Sequence, residues 1–99
     1  MVTVSGEIDL LTAPRFRAVV HDAVKQAAGP VVIDLSSVTF LGSAGLAALV
    51  ELTTLAERER LPLRVVVDHT RPVIRPIEIT GLTEVLALYH TVDEALARP

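Results

Sequence analysis

The chain is predicted to be an α/β domain, a mostly parallel β-sheet with helices alternating along it and packed on it. Three observations point there. The run Val31-Val32-Ile33-Asp34-Leu35 is apolar without strict alternation, as expected of a strand buried on both faces of a parallel sheet. Helical stripes lie before and after it, and a further β-branched run follows at 63–67, so strands and helices alternate. With 99 residues, 51% of them hydrophobic, the chain suffices for one core, and no repeat or linker divides it, so 1–99 is taken as one unit.

In chain order, Val2-Thr3-Val4 alternates before the turn formers Ser5-Gly6, which predicts a short first strand. Thr12 can cap the following helix, with Pro14 in its first turn where a missing N–H costs nothing. Phe16, Val19, Val20, Ala23, Val24 and Ala27 recur at helical spacing and form its core stripe. Arg15, His21, Asp22, Lys25 and Gln26 take the opposite face, and Gly29-Pro30 is the expected stop. The second helix is expected from Ser43 to about Arg60. Leu46, Leu49, Val50 and Thr53 form its core side, and Ala44, Ala47, Ala48 and Glu51 face away. After the strand at 63–67 comes a short helical piece closed by Thr80-Gly81. A brief strand follows at Leu88-Tyr89-His90, then a capping box, Thr91-Val92-Asp93-Glu94, that opens a last short helix.

Composition excludes several classes of function. Cysteine is absent, which removes disulfides and thiolate metal sites, and His21, His69 and His90 show no ligand spacing, so no metal site is expected. A net charge of −3 and only three aromatics, Phe16, Phe40 and Tyr89, argue against a nucleic-acid groove or base-stacking platform. The mean hydropathy, +0.51, is high, yet the longest uncharged stretch, 35–50, is too short and too rich in Ser and Gly to span a bilayer. The N-terminus lacks a basic region followed by an apolar core, so no signal peptide is expected, and the location expected is cytoplasmic.

Three carboxylates, Asp9, Asp34 and Asp68, are expected near strand ends, where α/β sheets gather ligands. An acidic Mg²⁺ pocket is one reading. Turn and cap roles are the commoner one, and Lys25, the only lysine, sits mid-helix instead of near such a pocket. No nucleophile is paired with a base, and Gly42-Ser43-Ala44-Gly45 matches neither a nucleophile elbow nor a phosphate-binding loop, so no catalysis and no cofactor are expected. That stretch does place two glycines and a serine at a strand-to-helix junction. Ser43 is there either a plain N-cap or part of a site for an anion or partner. The alanine face after it reflects helix propensity, or a surface that lets a partner backbone come close.

Gly6-Glu7-Ile8-Asp9-Leu10-Leu11-Thr12-Ala13, then Val32-Ile33-Asp34-Leu35-Ser36-Ser37-Val38-Thr39-Phe40-Leu41-Gly42-Ser43-Ala44-Gly45-Leu46, then Thr80-Gly81-Leu82, span nearly the whole chain. Together they resemble the anti-sigma factor antagonists of the STAS domain family. The resemblance implies a protein that binds an anti-sigma factor with an ATP-binding serine-kinase fold and so frees a sigma factor for RNA polymerase. A second implied role is an accessory subunit docking on the ATPase of a lipid-transport ABC complex. The implied binding surface is the loop around Asp9 and the turn and helix from Gly42. Joined to the alanine face, this gives Asp9, Thr12, Gly42, Ser43, Ala44, Gly45, Ala47 and Ala48 as partner-binding residues.

The chain departs from the family in three places. The usual turn is Asp-Ser-Ser-Gly-Leu with the second serine phosphorylated; here Gly42 replaces the acidic residue and Ala44 the acceptor. Ser43 is then the only hydroxyl in the turn and the candidate phosphorylation site, and binding without a phosphoserine switch is expected. Family members carry a strand before the one holding Val2 and Val4, so an edge strand is lost or the start truncated. An open edge favours association, such as a weak homodimer. Pro76 implies a third helix that is short, kinked or late-starting.

Overall fold

The computed structural model describes residues 1–68 and 73–97; His69 lies outside them. The elements run β1 (Val2–Ile8), α1 (Ala13–Gln26), β2 (Val31–Leu41), α2 (Ser43–Arg58), β3 (Leu63–Val66), α3 (Ile74–Ile79), a 3-10 turn (Leu82–Glu84), β4 (Ala87–Tyr89) and α4 (Val92–Ala97). All strand pairs are parallel and the order is β1-β2-β3-β4, so the expected α/β class holds. On β2 and β3, Val31, Ile33, Leu35, Leu63 and Val65 join the core made with α1, α2 and α3. Val32 and Val66 turn the other way and pack with Ala95 of α4. Buried Arg64 holds α4 there, donating from Nη1 to the Ala95 carbonyl at 2.7 Å.

Several boundaries differ from expectation. The first strand does not turn at Ser5-Gly6; it continues to Ile8, with register shifts beside Thr3–Ser5 and Gly6–Glu7 that Gly6, at φ 79°, absorbs. The second strand extends to Leu41, because 36–41 pair along that longer β1. Helix α1 ends before Gly29: Ala27 is already extended, at ψ 144°. Within its stripe Phe16, Val20 and Val24 are buried, but Val19 is 46% exposed. It borders a groove shared with Val2, Val4 and Phe16 along β1, the sheet edge, beyond which no described strand packs.

Pro76 is accommodated in the first turn of α3, where no intrahelical N–H is needed, so Arg75 before it is helical and the helix is short, as expected. Gly81, at φ 75°, follows its C-cap. The last strand is shifted one residue, to Ala87–Tyr89. At α4 the Thr91 hydroxyl accepts the Glu94 N–H at 3.0 Å, as in a capping box, while the Glu94 carboxylate reaches back to the His90 N–H instead of that of Thr91.

Phe16 and Val19 separate core from edge. Phe16→Ala should cost about 3–5 kcal/mol in chemical denaturation, and Val19→Ala about 1 kcal/mol or less, since half of that side chain already meets water.

Candidate functional site

The loop after β1 is built around Asp9. Its Oδ1 accepts the backbone N–H groups of Leu11 and Thr12, both at 3.0 Å. Thr12 stands at the N-cap of α1 but makes no side-chain cap bond, contrary to expectation. Its hydroxyl instead accepts the Asp9 N–H at 2.9 Å and lies 2.9 Å from the Glu7 carbonyl, to which it donates. Asp9 and Thr12 thus lock the loop upon itself. The Thr12 backbone N–H, helped by the Leu11 N–H, holds the Asp9 carboxyl below the ordinary 3.8, although partial desolvation works the other way.

The turn before α2 lies beside this loop. Ile8 and Leu41 are paired in register, and the Gly42 N–H donates to the Ile8 carbonyl at 2.9 Å. Gly42, not Ser43, is the N-cap of α2. A Cβ on Gly42 would stand 3.1 Å from the Phe40 ring, so the ring leans over the place where a side chain at 42 would start. Ser43 is the first helical residue and is exposed, and its Oγ makes no hydrogen bond among the described residues. The N-cap reading of Ser43 is therefore corrected: its hydroxyl is free of that duty.

The faces of α2 are also corrected. The buried residues are Gly45, Ala48, Leu49, Leu52, Thr53 and Ala56, while Leu46 and Val50 are only half-buried. Ala48 is fully buried, so it does not face away from the core and no partner reaches it. Gly45 is buried over Ile8 and Leu41. Of the residues singled out in sequence, Thr12, Ser43 and Ala47 are exposed, and Asp9, Gly42 and Ala44 half-exposed. Three exposed apolar side chains that sequence pattern did not single out lie in the same segments. Leu10 is 79% exposed, Leu11 88% and Phe40 52%. A leucine pair inside an Asx loop, and a Phe next to a glycine turn, were the available signals.

The three carboxylates do not assemble. Asp34 lies mid-strand in β2, not at an end, and its Oδ1 accepts the N–H and hydroxyl of Ser36 at 3.0 and 2.6 Å. Among the described residues no three His, Cys, Asp or Glu side chains come together as a metal site, and no helix is long and apolar enough to cross a membrane.

The family model of the STAS domain matches residues 1–95. The chain is 35% identical over 99 residues to RsfB, an anti-sigma-F factor antagonist of Mycobacterium tuberculosis, covering 97% of this chain and 77% of the relative. It is 33% identical over 100 residues to a second protein of that organism named as an anti-anti-sigma factor, covering 99% of this chain and 67% of the other. The crystal structure of an anti-sigma factor antagonist from Mycobacterium paratuberculosis superposes with a TM-score of 0.79 at 40% identity, covering 95% of this chain and 79% of that one.

The Asp9 loop should answer to acid and not to neutral pH. Its folded carboxyl titrates below 3.8, so the stabilisation is present above the unfolded value and is lost as pH falls through the folded one. The Leu11 and Thr12 amide resonances should hold still from pH 7 to about 4.5 and shift below about 4, and Asp9→Ala should abolish that transition.

Proposed function

The chain belongs to the STAS domain family, and on that premise we propose that it is an anti-sigma factor antagonist: it binds an anti-sigma factor and so releases a sigma factor, by contact and without catalysis. One observation carries the reading. The two segments implied as the binding surface, the Asp9 loop and the Gly42 turn, are joined edge to edge by the Gly42 N–H bond to the Ile8 carbonyl at 2.9 Å. Leu10 and Leu11 of that loop, Phe40 before the turn and Ala47 on α2 are exposed, apolar surface that a partner would take out of water. The partner is an anti-sigma factor of the ATP-binding serine-kinase fold, met in the cytoplasm, with no cofactor, nucleic acid or membrane involved. The relatives' names favour this role over docking on a lipid-transport ATPase. A weak homodimer through the open β1 edge belongs to the same reading.

The corrected helix face separates binding from folding. Ala47→Arg should leave the fold intact and weaken capture of the anti-sigma factor by at least about tenfold, because the added charge would be desolvated at the contact. Ala48→Arg should fail to fold, which circular dichroism reads directly, since it forces a charge into a position with no exposed area. Retained capture by folded Ala47→Arg would place the interface elsewhere.

The switch is the other test. Ala44 has no hydroxyl, and Ser43, though exposed, points about 100° around the helix from it. Binding without a phosphoserine switch is therefore expected. Intact-mass analysis after incubation with the cognate kinase and ATP should show no added phosphate. A single phosphate on the wild type, absent from Ser43→Ala, would make Ser43 a working substitute acceptor.

A further inference from the structure

We propose that Gly45 is a positioning residue: it touches no partner, and its missing side chain sets the distance at which α2 sits on the end of β1, thereby holding the Asp9 loop and the Gly42 turn in one surface. The inference rests on the binding surface proposed above, but its structural part stands without a partner. A Cβ at position 45 would lie 2.6 Å from Leu41 Cδ1, 2.8 Å from Ile8 Cγ2 and 3.3 Å from Ile8 Cβ. Leu41 offers the end of a flexible side chain and can rotate away. Ile8 cannot, because it is β-branched and fully buried, and the atoms met are those nearest its own backbone. The first turn of α2 or the end of β1 must therefore move. What lies there is the seam itself: Ile8 supplies the carbonyl that accepts the Gly42 N–H, and Asp9 is the next residue along. By contrast, a Cβ at Gly6, Gly29 or Gly81 would meet nothing within 4 Å, so Gly45 is the described glycine at which side-chain volume is most tightly refused.

The test compares Gly45→Ala with Val24→Ala, a truncation at another buried position, in the last turns of α1, away from the seam. Amide spectra of the isolated protein should show Asp9, Thr12 and Gly42 displaced, and Gly42 exchange accelerated, in Gly45→Ala only. Affinity of folded protein for the anti-sigma factor that the wild type binds should fall at least about tenfold in Gly45→Ala and stay unchanged in Val24→Ala. Should Gly45→Ala not fold, it is placed in the Ile8→Ala background, which removes the obstructing Cγ2. There the double variant should fold with the seam resonances of Ile8→Ala. The proposal is overturned by unmoved seam resonances in Gly45→Ala, by equal displacement in Val24→Ala, by unchanged affinity despite a displaced seam, or by a double variant as disordered as the single. If the wild type binds no anti-sigma factor, the functional reading fails while the spectra still decide the role of Gly45.

Discussion

Strand β2 is the constraint on which the molecule depends. It is bonded to β1 on one side and β3 on the other, and it is covered on both faces: Val31, Ile33 and Leu35 enter the core with α1 and α2, and Val32 meets α4. A strand enclosed in this way can tolerate no one-residue slip, since a slip would exchange its two apolar faces against different partners. Its carboxyl end is held by pairing of Ser37, Val38, Phe40 and Leu41 with β1 and by the buried side chains of Val38 and Leu41, and with it Gly42 and the start of α2 are placed. The candidate site is consequently built at the end of a rigid element and does not depend on a long loop.

The site gains little from charge. Asp9, the carboxylate named in it, turns its Oδ1 to the N–H groups of its own loop. That arrangement keeps the loop compact and leaves the neighbouring Leu10 and Leu11 directed at water. An apolar rim on a self-satisfied backbone suits association by burial of surface, in which the polar groups beneath need no partner from outside.

At the same junction the departures from the family turn have a local physical reading. The Phe40 ring stands over Gly42, close enough that a side chain there would have to displace it. Apolar cover thus occupies the position at which the family resemblance implies an acidic group. Ala44, half-buried in the first turn of α2, continues the same apolar surface toward Ala47.

Much of this was legible in the sequence. Periodicity gave the α/β class, the order of elements, the buried run in β2 and the stripe of α1 through Phe16, Val20 and Val24, because each is a local pattern tied to a backbone repeat. The motif stretches also pointed to the Asp9 loop and the Gly42 turn. What periodicity does not contain is the phase of a helix whose faces are both small and uncharged. In α2 the stripe Leu46, Leu49, Val50, Thr53 and the stripe Gly45, Ala48, Leu49, Leu52 lie about one residue apart in rotation, and both satisfy the spacing. Contact decided between them. With α2 seated on Ile8 and Leu41, only a residue without a side chain fits at 45, and Ala48 follows it into the core. In the same way, the exposure of Val19 depends on β1 having no described neighbour on its outer side, a fact of sheet order that no stripe within α1 can encode.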